Sequence, residues 1–212
     1  MACCPLGLTK PKPNQAKHMI IKSKILFILR SICAALLLPI GLLGASQLTG
    51  CAAPKPIEYA SATPKLDIKT YFNGPIRGWG MVQDRSGKVL RRFVVDIDAK
   101  WETKDGLPHG TLDERFVWSD GERQTRVWHI TEQSPGQYRG EAGDVIGGAS
   151  GTAAGNVLNW AYVLRIPYNG SSLDVRVDDW MILVDEGTLL NRADMLFWGV
   201  RVGELTIAFR RQ

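Results

Sequence analysis

Residues 157–184 read VLNWAYVLRIPYNGSSLDVRVDDWMILV. Two runs of strand length, Val157–Ile166 and Leu173–Val184, are divided by Tyr168-Asn169-Gly170. Asn-Gly tolerates positive φ at both central positions of a tight hairpin, so the two runs are expected to pair antiparallel. In the second run Val175, Val177, Asp179, Met181 and Leu183 share one face by the two-residue period of a strand. That face is apolar except for one carboxylate, which places it toward a core.

The same theme extends outward in both directions. Ile76–Gln83, Lys88–Trp101, Thr111–Trp118, Arg123–Thr131 and Gln137–Ala142 alternate and end on turn residues such as Asp84-Arg-Ser-Gly87 and Ser119-Asp120-Gly121. Leu189–Met195 and Glu204–Arg210 finish the chain, and no amphipathic helical period separates the runs. Short, evenly spaced hairpins imply antiparallel neighbours, and closing the sheet removes its edges. The fold expected is therefore all-β, an antiparallel up-and-down barrel of roughly eight to ten strands, with Leu66–Phe72 a short helical turn plugging one end. The glycine-rich GGASG at 147–151 lacks the spacing of a nucleophile elbow and has no GK[ST] after it, so it reads as a strand bending at a barrel corner.

Upstream of the domain, Lys22, Lys24 and Arg30 precede an apolar run from Ile32 to Leu43, and Leu48-Thr49-Gly50-Cys51 follows. A basic start, a short apolar stretch and small residues form the order of a secretory signal. The apolar run is short of the roughly 20 residues of a membrane span. The last four residues resemble the lipobox of bacterial lipoproteins, which implies lipidation at Cys51 and removal of residues 1–50. Met19 is a candidate start. Ala52 occupies the place where an aspartate would favour inner-membrane retention, so the expected address is the outer membrane, facing the periplasm. Residues 51–65 carry three prolines after the cysteine and read as a lipidated tether, with the barrel domain spanning 66–212.

Processing changes the charge balance. The full chain has a net charge of +5, but six of its 26 basic residues precede Cys51 while all 21 acidic residues follow it. Twenty basic residues against 21 acidic ones remain, which removes the invitation to a nucleic-acid partner. The mature part has no thiol besides Cys51 and two histidines, His109 and His129, so zinc built on His and Cys clusters is not expected, nor any other metal or cofactor.

Among the carboxylates, neighbours such as Asp178 and Asp179 point to opposite faces and cannot form a facing glycosidase pair. Asp179 on its apolar face needs a partner, because an unpaired buried carboxylate is costly. Arg115, Arg126 and Arg192, on alternating runs, are the candidates. All seven tryptophans fall in the domain. Trp128 shares a face with Arg126 and Ile130, and Trp79 is a further candidate wall residue. A barrel of this size can hold one small ligand inside.

The strings LDIKTYFNGPIRGWGMVQDRSGKVLRRFVVDI, LDERFVWSDGERQTRVW, GNVLNWAYVL and VDDWMILVDEGTLLNRADMLFWGVRVGELTIAF resemble the DUF3833 lipoproteins of proteobacteria, in order and across nearly all of 66–212. The resemblance implies a calycin or lipocalin-like barrel. Through the frequent neighbourhood of the family's genes with those of cyclopropane-fatty-acid-synthase-like proteins, it also implies an inclination toward lipids. It supplies no catalytic residues.

Three functions follow as expectations. The first is binding of a fatty acid or lipid, with Trp128, Trp79 and Met181 on the wall, Arg126, Arg115 or Arg192 meeting an anionic head, and Asp179 holding one arginine. The second is a lipid-modifying or hydrolytic enzyme using Asp179. The third is a filled barrel recruiting an envelope protein partner.

Overall fold

The computed structural model describes residues 53–168 and 170–212, so Cys51, the leader and Asn169 lie outside the described residues. Residues 54–212 form one compact unit with its own core. Ten strands make it up: β1 (Gly74–Asp84), β2 (Val89–Lys104), β3 (Leu107–Trp118), β4 (Arg123–Ser134), β5 (Gln137–Glu141), β6 (Val145–Ala154), β7 (Val157–Tyr168), β8 (Ser171–Leu183), β9 (Thr188–Phe197) and β10 (Val200–Arg211). Each pairs antiparallel with its neighbours in sequence, and β1 pairs with β10, so the sheet closes into an up-and-down barrel. The expected class is the one observed, at the upper end of the expected strand number. Tyr168 pairs with Ser171, and Gly170 has φ 76°.

Closure requires local bends. Ladder register shifts between Val82 and Gln83 in β1, Ile146 and Ser150 in β6, and Arg201 and Gly203 in β10. In β6 the bend falls on Gly147 and Gly148, both with positive φ, which is the barrel-corner role expected of the glycine-rich run. His109 lies in β3, with Nδ1 3.0 Å from Thr131 Oγ1 on β4.

The inner wall packs Val95, Ile97 and Ala99 of β2 against Ile207 and Phe209 of β10, with Val175 and Val177 of β8 also buried. Two inward glycines serve packing: a Cβ at Gly80 would collide with the Phe93 ring, and one at Gly151 with the Trp160 indole. Such a packed interior is the main stabilising term, at about 25 cal/mol for each Å² of apolar surface buried.

One end is capped. The helical turn α1 (Ile68–Tyr71) begins at Asp67, whose side chain accepts from Thr70 N at 2.9 Å, and it buries Ile68 and Tyr71. The Tyr71 hydroxyl lies 3.2 Å from the carbonyls of both Gly187 and Phe209, Trp101 Nε1 donates to Phe72 O at 2.8 Å, and Lys69 pairs with Glu132. These contacts tie α1 to the rim made by β2, β4, β10 and the β8–β9 turn, as expected of a plug.

The tether boundary differs from the expectation. Pro56–Tyr59 is a 3-10 turn against β6 and β7, Tyr59 sits 6.0 Å from Trp180 ring to ring, and Leu66 N donates to Gly155 O at 2.8 Å. Pro56–Tyr59 and Leu66 therefore contact the barrel, with Pro56 at the start of the turn.

Candidate functional site

The site grows from the inward faces of β3, β4, β7, β8 and β9. On β3 the inward residues are Leu112, Glu114 and Phe116, and on β4 they are Arg126, Trp128 and Ile130. Glu114 and Arg126 are directly paired across the two strands. Trp160 on β7 is paired with Asp179 on β8, and Met181 with Asn191 on β9. Together with Tyr162 these side chains surround a cavity of about 90 Å³, with Ile68 and Phe72 of the plug at one end and Phe116 toward the other. That is well below the roughly 300–1,000 Å³ of a drug-sized pocket.

Three aromatic rings form one side. Trp128 meets Trp160 edge-on at 5.7 Å and Tyr162 edge-on at 5.4 Å. Toward the end opposite the plug, Phe93 packs on Phe116 and Trp118, and Arg91 stacks 4.1 Å over the Trp118 ring. Asp120 and Glu122, each 2.8 Å from Arg91 Nη2, hold that guanidinium in place.

The polar members are unevenly satisfied. Arg126 grips Asp144, in the β5–β6 connection, with Nε 3.0 Å from Oδ1 and Nη2 2.7 Å from Oδ2. Its Nη1 is 3.8 Å from Glu114 Oε2, an ion pair without hydrogen-bond geometry. Burial lowers the proton affinity of Arg126, but the hydrogen bonds to Asp144 and the charge of Glu114 outweigh it, so the guanidinium stays charged. Burial pushes Glu114 up to about 7, against the opposing pull of Arg126. Burial pushes Asp179 up to about 8, despite the hydrogen bond from Asn191 Nδ2. The Tyr162 hydroxyl is raised too, by burial and then by the charge of Asp179.

Arg126, Trp128, Asp179 and Met181 come together around one cavity. Three other candidates do not. Arg115 points outward, its side chain 51% exposed and 3.1 Å from Asp113, because the inward phase of β3 belongs to Glu114. Arg192 also points outward, 63% exposed and 2.7 Å from Glu204, because Asn191 takes the inward place on β9. Trp79 lies on the outer wall, 47% exposed, between the inward Gly78 and Gly80. The partner of Asp179 is Asn191 and not an arginine.

Glu114, Tyr162, Asn191 and Asp144 were not singled out as site residues in the sequence. For Glu114 a signal existed: Leu112, Glu114 and Phe116 alternate, with a carboxylate between two large apolar residues.

A solved structure similar to this chain is the S-type phycobiliprotein lyase CPES from Guillardia theta, with 8% identity and a TM-score of 0.44 over 75% of this chain and 99% of that one. No curated protein matches the sequence. The family model described as "Protein of unknown function (DUF3833)" matches residues 45–211. That match covers most of the chain, which therefore belongs to the DUF3833 family.

Proposed function

We propose that this protein is a lipoprotein of the bacterial outer membrane, anchored through acylated Cys51 and facing the periplasm, whose barrel takes up part of a hydrophobic or amphipathic molecule. The observation that carries the reading is the cavity inside the barrel, apolar on most sides and lined by a small convergent set of polar groups. An apolar cavity with a few placed polar groups fits hydrophobic ligand binding. Its size suits a slender group, so a longer chain enters by displacing interior side chains. Met181, an unbranched lining residue, is the one best able to give way.

The anchoring part of the proposal rests on the lipobox-like Leu48–Cys51, which falls inside the family match. Two acyl chains or more would hold the protein firmly, where one alone is marginal. Cys51→Ser is expected to abolish incorporation of labelled fatty acid. Unchanged labelling overturns the anchor.

The ligand part is tested by native mass spectrometry of the protein purified gently from a lipid-rich host. A bound species of lipid mass, lost on organic extraction, supports it. A bare mass that stays bare after soaking with single-chain lipids overturns it in favour of a packed barrel.

A second reading, an enzyme acting on such a ligand, draws on Asp179, a buried carboxyl held near 8 and facing the cavity. A group so placed can give or take a proton near neutral pH. Asp179→Asn should then abolish turnover of a lipid extract while leaving the fold intact, and an extract unchanged by excess protein sinks this reading.

A further inference from the structure

The sequence pointed to an anionic head met by an arginine. The charges here run the other way. Among the described residues that line the cavity, Arg126 is the single cationic side chain, and its Nε and Nη2 are already spent on Asp144. Against that one guanidinium stand three carboxyls: Asp144, Glu114 and Asp179. With Asp144 cancelling Arg126, Glu114 and Asp179 are the ionisable groups left facing the cavity, and once ionised they carry its uncompensated charge. A carboxylate or phosphate placed there would meet two carboxyls in a medium that barely screens them.

The free hydrogen-bonding capacity has the same sense. Glu114 is buried, lines the cavity and makes no hydrogen bond among the described residues. Asn191 is 2% exposed; its Nδ2 donates to Asp179, and its Oδ1 has no partner among the described residues. A buried acceptor left without a donor costs about 1–3 kcal/mol. These three residues therefore offer acceptors: the Glu114 carboxyl, the second oxygen of Asp179 and Asn191 Oδ1. A primary ammonium carries three donors and no acceptor. The remaining wall suits it as well, because aromatic ring faces attract a cation and Trp128, Trp160 and Tyr162 line the same space.

We propose that the molecule taken into the barrel is a cationic amphiphile, with a primary alkylammonium head received by Glu114, Asp179 and Asn191 and an apolar chain among the aromatic and aliphatic walls. This deepens the ligand-binding reading and rests on it.

Both carboxyls must be ionised to receive the cation, so binding releases protons. The groups facing them set the range. Arg126 from β4 and Asp144 from the β5–β6 connection oppose each other in charge, the Tyr162 hydroxyl from β7 stays protonated, and Asn191 from β9 donates to Asp179. Affinity for an ammonium rises with pH through the range in which Glu114 and Asp179 lose their protons.

The test uses residues 54–212 and three probes with one chain: octylammonium, octanol and octanoate, titrated calorimetrically below their aggregation limits from about pH 6 to about pH 9. Octylammonium is expected to bind at least about tenfold tighter than the other two. Its affinity should rise with pH, and proton release should appear as a dependence of the heat on buffer ionisation. Glu114→Gln and Asp179→Asn should each abolish most of the preference, while octanol binding by these variants persists and shows them folded. Octanoate or octanol binding as tightly as octylammonium overturns the cationic head and leaves the ligand-binding barrel standing. No binding of any probe overturns both.

Discussion

Arg126 is fastened to Asp144 by a two-pronged ion pair, Nη2 2.7 Å and Nε 3.1 Å from the same Oδ2, so the barrel's buried arginine clamps the β5–β6 connection to β4. The arginine side chain is 14% exposed and the aspartate 31%, which leaves the carboxylate able to recover some water if its partner is lost.

Arg126→Ala should therefore destabilise the barrel by roughly 3 kcal/mol, near the lower end for breaking a buried pair. Asp144→Asn should cost less, because a neutral amide can still accept from the guanidinium. Urea unfolding followed by tryptophan fluorescence reads both, and an Arg126→Ala midpoint equal to that of the native protein would show that the clamp contributes nothing.

The two cavity carboxyls make a prediction about pH. Glu114 and Asp179 hold their protons up to about 7 and about 8 in the folded protein, against about 4 in an unfolded chain. Between those limits the folded state binds more protons, so stability falls as pH rises from about 4 to about 8 and levels off above that. Asp179→Asn removes one such group. The variant should gain stability relative to the native protein as pH rises, by ~1 kcal/mol or more at pH 8, with little difference at about pH 4. Exposed carboxylates held low by their partners, such as Asp96 beside Arg77, titrate below this window and drop out of the comparison. A native-minus-variant difference that does not change with pH would refute the assignment.

Trp160 lies between two glycines, Gly140 on β5 and Gly151 on β6, and a Cβ at either position would collide with its indole. Gly151→Ala should push the ring toward the cavity, destabilise the fold by about 1–3 kcal/mol and reduce binding of any interior ligand. A shift in tryptophan emission together with a lower thermal midpoint is the expected signature. An alanine variant with the native midpoint and spectrum would mean that the wall yields without strain.

Strand phase decided which part of the site was legible. On β8 the alternation of Val175, Val177, Asp179, Met181 and Leu183 is apolar enough to fix the inward face, and on β4 Trp128 and Ile130 carry Arg126 with them. On β3 Leu112 and Phe116 mark the inward phase, but the position between them holds a glutamate, which weakens that signal and left Arg115 as a candidate. On β9 both phases contain a leucine: Leu189 is fully buried and Leu190 is 47% exposed, so the pattern does not choose between Asn191 and Arg192. On β1 the inward places are glycines vacated for Phe93 and Phe209, which left Trp79 as the large apolar residue of a face that is outside.

The sequence by itself therefore determined the class of fold, because two-residue alternation and turn chemistry are local properties of the chain. It also determined the helical plug at Leu66–Phe72 and the bend at the glycines of β6. Tertiary structure alone decided the charge of the interior. Whether a carboxyl or a guanidinium faces the cavity turns on a one-residue phase, and that phase is set by which side chains the facing wall has room for.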